Sequence, residues 1–98
     1  MMSALETVHN YYERPVFNYI HENYLDSGLT DNQLADMACI ALNRIAPRYI
    51  RHDIDMSFYM SGEEHLEIQA RIEKAVRKAF KKVKKLDGID DKAAQEED

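Results

Sequence analysis

The stretch ALNRIAPRYIRHDIDMSFYM, residues 41–60, decides which fold class the chain adopts. Its first part continues a helical apolar pattern that ends near Pro47, because the residue before a proline disfavours helical backbone angles. From Ile50 to Met60, apolar and polar residues then alternate with the period of a half-buried β-strand. The sequence therefore predicts one short strand in a chain whose other segments have helical spacing.

The segments on either side of that strand predict three to four helices. Capping-box spacings open them at Ser3–Glu6, Thr30–Gln33 and Ser61–Glu64, where a hydroxyl and a longer polar side chain exchange hydrogen bonds with the backbone. Pro15 either kinks the first helical segment or begins a new helix, since proline lacks the amide donor. Gly28 suits a left-handed cap after that segment.

Helical spacing also identifies the residues that we expect to face the core. In the first segment they are Leu5, Val8, Tyr12, Val16, Tyr19, Ile20 and Tyr24. In the second they are Leu34, Met37, Ala38, Ala41, Leu42 and Ile45, and in the third they are Leu66, Ile68, Ile72, Ala75, Val76, Ala79, Phe80, Val83 and Leu86.

The predicted strand has no evident partner strand in its own chain, which would leave a row of backbone N–H and C=O groups unpaired. Antiparallel pairing with the same strand of a second copy removes this problem, and closed two-fold dimers are common. We therefore expect a mainly α homodimer, with three to four helices per chain and one short strand paired across the two-fold. The alternative is an irregular loop with accidental alternation.

Composition predicts one soluble domain followed by an acidic tail. The 98 residues are 45% hydrophobic and 32% charged, which is ordinary for a globular protein. We see no signal peptide and no apolar run of the ~20 residues that span a bilayer, so we expect a cytoplasmic protein without membrane contact. A single cysteine, Cys39, is expected to be a small hydrophobe in the core.

The acidic tail accounts for the net charge. Residues 87–98 contain six acids and one lysine and so carry the whole net charge of −5, whereas residues 1–86 hold twelve bases and twelve acids. We expect residues 1–86 to form a single helical domain and residues 87–98 to be disordered and solubilising. The alternative for the tail is a flap that competes for the basic helix before it.

No catalytic arrangement or phosphate-binding loop stands out, so we expect a protein that is not an enzyme and has no cofactor. His9 and Glu13 have the i, i+4 spacing of a helical pair. Two ligands make a poor metal site, and a surface pair is the favoured interpretation. We therefore expect no bound metal.

Basic residues at the junction between the second helix and the strand indicate an anionic ligand. Arginine pairs bidentately with phosphate and stacks flat on a purine, and a tyrosine ring also stacks on a base. The candidate ligand-binding residues are Arg44, Arg48, Tyr49, Arg51 and His52.

The third helix carries a second basic feature, a stripe of Arg71, Lys74, Lys78, Lys81 and Lys85. Such a stripe can follow a nucleic-acid backbone. The solvated face of an amphipathic helix, with lysines near the carbonyl end of the helix dipole, is the favoured interpretation. Because residues 1–86 are neutral overall, we expect no general affinity for nucleic acid.

Two segments match a known pattern, namely NYYERPV at residues 10–16 and LADMACIALNRIAPRYI at residues 34–50. They resemble the late competence development protein ComFB family, and the resemblance covers roughly residues 8–86. The matching positions are Asn10, Glu13, Val16, Asp36, Met37, Ala41, Leu42, Asn43, Pro47, Arg48, Tyr49 and Ile50. Many members have zinc-binding cysteines before the position of Asp36. LTDNQLAD at residues 29–36 has none, which implies a metal-free branch.

The resemblance implies a small, mostly helical dimer with a second-messenger role, since some members of the family are cyclic di-GMP receptors. We therefore expect a homodimeric regulatory module that binds a cyclic dinucleotide, in signalling related to competence or motility. One alternative is a dimeric protein-interaction adaptor without a ligand. Another is a weak nucleic-acid binder that acts through the third helix.

Overall fold

A computed structural model describes residues 4–51 and 58–86, in which three α-helices pack around one core and a two-stranded sheet lies at one side. The helices are α1 (Glu13–Tyr24), α2 (Asp31–Arg44) and α3 (Gly62–Leu86). A 3₁₀ turn at Leu5–Thr7 and strand β1 (His9–Asn10) precede α1, and strand β2 (Tyr49–Ile50) follows α2. The predicted mainly α fold class is confirmed.

Helix α1 begins at Glu13, which places Pro15 in its first turn. The first four N–H groups of a helix have no intrahelical partner, so a proline is tolerated there. The first i→i−4 bond runs from the Val16 N–H to the Tyr12 carbonyl at 3.0 Å. Pro15 therefore belongs to a new helix start and does not kink a longer helix.

The residues before α1 depart from the prediction. Leu5 and Val8 are 63% and 45% exposed, so their predicted inward orientation is wrong. They lie in a 3₁₀ turn and in the residue before β1, where helical spacing does not apply. Ser3, the predicted first cap, lies outside the described residues.

The two later capping boxes are confirmed. Thr30 Oγ1 accepts from the Gln33 N–H at 3.2 Å, and the Thr30 N–H donates to Gln33 Oε1 at 2.8 Å. Ser61 and Glu64 form the same pair of bonds at 3.1 and 3.0 Å. Both helices therefore begin where their local sequence satisfies the unpaired backbone donors.

Helix α2 runs antiparallel to α3, since Asp36 and Ile40 lie beside Val83, whereas Arg44 lies beside Arg71. Helix α1 packs across both. Gly28 lies in the turn between α1 and α2. Its φ is 91°, a left-handed angle that glycine adopts without strain. The largest fully buried side chains are Met37, Ile72, Val16, Val76 and Val83.

The third helix extends beyond its neighbours. At 25 residues it is about 37 Å long, whereas α2, with 14 residues, is about 21 Å long. Leu66 lies in the part of α3 that passes the end of α2, and Leu86 is the last helical residue. They are 73% and 69% exposed, so their predicted burial is wrong.

The predicted lone strand has a partner in its own chain. Strand β2 pairs antiparallel with β1, with His9 opposite Ile50 and Asn10 opposite Tyr49. Residues 52–57 lie outside the described residues, and Phe58 and Tyr59 are helical, so no strand reaches Met60. The premise that the chain lacks a partner strand is wrong, and pairing across a two-fold stays a prediction without that support.

Residues 87–98, the predicted acidic tail, lie outside the described residues, so the domain boundary after Leu86 stays a prediction. Among the helices of residues 4–51 and 58–86, none combines the length and the apolar character that crossing a bilayer requires.

Candidate functional site

The buried side chain of Asn10 fixes the junction between α2 and β2. Asn10 is 7% exposed, and its Oδ1 accepts from the Arg48 N–H at 2.9 Å and from the Tyr12 N–H at 3.2 Å. The Tyr11 N–H donates to the Arg48 carbonyl at 2.7 Å. Because a buried polar group without a partner is destabilising, these bonds hold the chain after Pro47 against the start of α1.

A groove of about 610 Å³ lies between the end of α2 and the middle of α3. We call it the basic groove, because all of its charged lining residues are cationic. Its lining residues are Tyr12, Arg44, Ile45, Ala46, Arg71, Lys74, Ala75 and Lys78. The three cations from α3 follow one another at i, i+3 and i+7, so they share one helical face. A ligand in this groove meets cations from two helices.

Tyr12 positions one of these cations. Its ring is 3% exposed and packs edge to face on Tyr11, with 5.6 Å between the ring centroids. Arg71 Nη1 donates to the Tyr12 hydroxyl oxygen at 3.0 Å, and this hydrogen bond raises the pKa of the Arg71 guanidinium. Guanidinium has five N–H donors, so one bond to a rigid ring orients the group and leaves others for an anion.

The predicted ligand-binding residues separate into two groups. Arg44 lines the basic groove, whereas Arg48, Tyr49 and Arg51 do not. These three are exposed at and beside β2, and Tyr49 has 68% of its surface accessible. His52 lies outside the described residues. Arg48 follows the groove residue Ala46 by two positions, so the exposed group begins where the groove ends along the chain.

Sequence reasoning missed Tyr12 and gave little weight to Arg71, Lys74 and Lys78 as ligand-binding residues. The last three belong to the predicted basic stripe of α3, for which a solvated face was the favoured interpretation. The helical spacing of these three residues shows that they share one face of α3, but spacing alone does not show that Arg44 of α2 lies opposite that face. The other two stripe residues, Lys81 and Lys85, do not line the groove.

A second groove, also of about 610 Å³, lies between α1 and α2. We call it the apolar groove, because carbon atoms dominate its surface. Its lining residues are Glu13, Phe17, Ile20, His21, Leu25, Leu34, Ala35, Ala38, Cys39 and Leu42. Cys39 is exposed, so its predicted place in the core is wrong. It lines the apolar groove on one side and lies beside Val83 and Leu86 of α3 on the other.

The part of the chain that the structure describes contains no candidate metal-binding site. Residues 4–51 and 58–86 contain no group of three or more His, Cys, Asp and Glu side chains that could hold an ion. His9 and Glu13 belong to different elements, since His9 is in β1 and Glu13 opens α1. Their spacing in the sequence is therefore not the spacing of a helical pair.

Comparison with known proteins identifies a family. The model of the family described as late competence development protein ComFB matches residues 9–86, which is most of the chain. The matched range begins with β1, ends with the last residue of α3 and includes every residue that lines the two grooves. No significant match was found among curated proteins or among solved structures.

Proposed function

Because the chain belongs to the late competence development protein ComFB family, we propose that it is a non-enzymatic, cytoplasmic regulatory module that binds cyclic di-GMP in signalling related to competence or motility. Family membership points to a competence-related regulatory role. The resemblance to the family suggests cyclic di-GMP, and the basic groove supports an anionic ligand. The observation that carries this inference is the convergence of Arg44, Arg71, Lys74 and Lys78 on one groove.

The size and charge of the basic groove suit an anionic nucleotide. Its volume of about 610 Å³ falls in the range of roughly 300–1,000 Å³ that small-molecule sites occupy. Cyclic di-GMP carries a pair of phosphodiester groups, and each accepts charge-assisted hydrogen bonds from guanidinium or ammonium donors. With no acidic residue among the lining side chains, such an anion meets no repulsion from the walls of the groove.

The two groups of basic residues take different roles in this proposal. The phosphates bind in the groove, where Arg71 is oriented by Tyr12 and Arg44 comes from the opposite wall. A guanine base stacks outside it on the exposed ring of Tyr49 or on a guanidinium plane of Arg48 or Arg51, since both kinds of surface stack on purines. The groove thus provides charge, and the β2 segment provides recognition of the base.

Isothermal titration of cyclic di-GMP into the wild type and matched variants tests the proposal. Arg71→Ala and Arg44→Ala should each weaken binding by about 10- to 100-fold, because a hydrogen bond to a charged group contributes roughly 1.5–3 kcal/mol. The affinity of Arg48→Ala measures whether the Arg48 side chain, exposed beside the groove, stacks on a guanine base. Lys82→Ala is the control, because Lys82 is exposed on α3 and does not line the groove.

Two results would overturn the proposed ligand. One is the absence of heat from the wild type at tens of micromolar, and the other is equal affinity in the wild type, Arg71→Ala and Arg44→Ala. The first result would favour the adaptor alternative, in which the basic residues are structural. Pull-down of protein partners in the absence of nucleotide then becomes the deciding measurement for that alternative.

A further inference from the structure

The basic stripe of α3 is longer than the basic groove. Arg71, Lys74 and Lys78 line the groove, whereas Lys81 and Lys85 continue toward the end of the helix. The five residues follow one another at i, i+3, i+7, i+10 and i+14, which keeps them on one helical face. The proposed ligand site uses only the first three. The stripe therefore forms a cationic path from the last turn of α3 to the groove.

The acidic tail, residues 87–98, follows the end of this path directly. Helix α3 ends at Leu86, one position after Lys85. The tail holds six acids and one lysine and carries a charge of −5, whereas residues 1–86 are neutral overall. Opposite charges attract at short range despite screening by salt, and the chain itself tethers these two partners. The tail is therefore the occupant that charge complementarity selects for the cationic path.

The tail is long enough to reach the groove. At the helical rise, Lys78 lies about 12 Å and Arg71 about 22 Å before Leu86 along α3. An extended chain covers up to about 3.3 Å per residue, so Asp91 can reach about 16 Å and Glu96 about 33 Å from Leu86. Acids in the middle of the tail can therefore meet Lys78, and acids near residue 96 can meet Arg71.

We propose that the acidic tail folds back along α3 and lies in the basic groove, where its carboxylates bind Arg71, Lys74 and Lys78 and compete with an anionic ligand. The contact rests on charge and reach, and its regulatory consequence rests on the proposed ligand site. A short tether gives an effective concentration on the order of millimolar. A tail with an intrinsic dissociation constant of about 0.1–0.5 mM then weakens ligand binding by about 3- to 10-fold.

A nitroxide spin label in the tail of the full chain gives the first test, in the absence of nucleotide. Cys39→Ala/Ala94→Cys leaves one thiol for the label and keeps every charge of the tail. Cys39 is exposed, so its replacement leaves the core filled. If the tail lies in the groove, the amide resonances of Arg71 and Lys74 should broaden strongly in the nuclear magnetic resonance spectrum.

Tyr19 of α1 is the matched reference for that measurement. It lies beside Glu73 and Arg77, which are at the height of the groove along α3 but outside it. A tail without a preferred site passes both sides of α3, whereas a tail in the groove leaves the Tyr19 amide sharp. Because the contact is ionic, about 0.5 M sodium chloride should remove the broadening. Inorganic triphosphate, a polyanion without a base, should also remove it.

The affinity for cyclic di-GMP gives the second test. A neutral-tail variant of the full chain carries Asp90→Asn, Asp91→Asn, Glu96→Gln, Glu97→Gln and Asp98→Asn. It should bind cyclic di-GMP about 3- to 10-fold more tightly than the wild type, because the competitor is removed.

A charge-matched variant separates competition from the change in net charge. It neutralises five acids that are exposed and do not line the basic groove, namely Glu22, Asp26, Asp31, Asp36 and Glu63. Both variants change the net charge of −5 by five units. The charge-matched variant should stay within about twofold of the wild-type affinity, because exposed charges farther away than a Debye length are largely screened.

Three outcomes would overturn the proposal. Equal broadening at Tyr19 and Lys74 excludes a preferred place in the groove. Broadening that persists in high salt contradicts an ionic contact. Equal affinities of the neutral-tail and charge-matched variants exclude competition. If no variant binds cyclic di-GMP, the proposed ligand fails, while the spin label and triphosphate still decide whether the tail lies in the groove.

Discussion

The basic groove and the apolar groove enclose the same volume of about 610 Å³, and α2 contributes a wall to both, yet their linings are opposite in character. The basic groove pairs the end of α2 with α3, and its charged residues are all cationic. The apolar groove pairs the middle of α2 with α1, and only Glu13 and His21 bring ionisable groups to it beside Cys39. Equal size therefore says little about the occupant, whereas the lining chemistry distinguishes a groove that suits an anion from one that suits apolar groups.

Helix α2 separates the two grooves because one of its faces lines the apolar groove, another lines the basic groove and a third is buried in the core. Ala38 and Leu42 line the apolar groove, and Arg44 lines the basic groove. Between them, Met37 and Ala41 are fully buried against the rest of the core. Substitutions can therefore remove one groove, the other, or the support that both share.

The largest effect is expected from Met37→Ala, which removes the shared support. Met37 is fully buried, so the cavity should lower the free energy of unfolding by about 2–5 kcal/mol, as for other Met→Ala core changes. Urea denaturation followed by circular dichroism measures this. Leu66→Ala, at an exposed position, should change it by less than about 0.5 kcal/mol. A loss below about 1 kcal/mol for Met37→Ala would contradict the common core.

Reversing two charges in the basic groove should show most clearly that ligand binding depends on this groove and not on the apolar groove. Arg71→Glu/Lys74→Glu should weaken cyclic di-GMP binding by more than about 100-fold, since it replaces two attractive contacts with repulsive ones. The mass in solution should not change. Lys82→Glu/Lys81→Glu keeps the same change of net charge outside the groove and should retain most of the affinity. Similar losses in both double variants would show that only overall charge matters.

Asn10→Ala tests whether the hydrogen bonds of Asn10 at the junction between α2 and β2 maintain the shape of the basic groove. The buried side chain accepts bonds from Arg48 and Tyr12, so we expect a loss of about 1–3 kcal/mol in unfolding free energy and weaker nucleotide binding. Asn43→Ala is a matched control. Asn43 is exposed and its Nδ2 donates to the Cys39 carbonyl at 2.9 Å, one turn away in the same helix, so its loss should be smaller. Equal melting temperatures for the two variants would contradict this ranking.

The smallest expected effect comes from the helix cap of α3. Ser61→Ala removes one half of a capping box and should lower stability by about 1 kcal/mol. Ser61 lies ten positions before Arg71, so the groove should keep its geometry and the ligand its affinity. Thermal denaturation and titration on the same sample measure both quantities. A clear loss of affinity would mean that the first turns of α3 contribute to the site.

The sequence predicts the helices well because their determinants are local. The capping boxes at Thr30 and Ser61 and the turn at Gly28 each depend on residues within a few positions of one another. The strand pairing was missed because β1 has only two residues, His9 and Asn10, which is too short to show an alternating pattern. Helical spacing was therefore extended through them, and β2 was left without a visible partner.

The site is less accessible to sequence reasoning because its parts are distant along the chain. The junction basic residues and the α3 stripe were each recognised, but their meeting depends on the antiparallel packing of α2 on α3. The bond between Arg71 and Tyr12 joins residues 59 positions apart. Exposure of Cys39 likewise depends on which neighbours α2 has on each side, and its apolar sequence neighbours do not reveal them.

The most direct test of the central claim is nuclear magnetic resonance of the ¹⁵N-labelled protein during titration with cyclic di-GMP. We predict that the largest chemical-shift changes occur at the amides of Tyr12, Arg44, Arg71 and Lys74. The amides of Leu34 and Ala38 in the apolar groove should shift little. Changes confined to the apolar groove, or none at saturating nucleotide, would contradict the assignment of the basic groove as the ligand site.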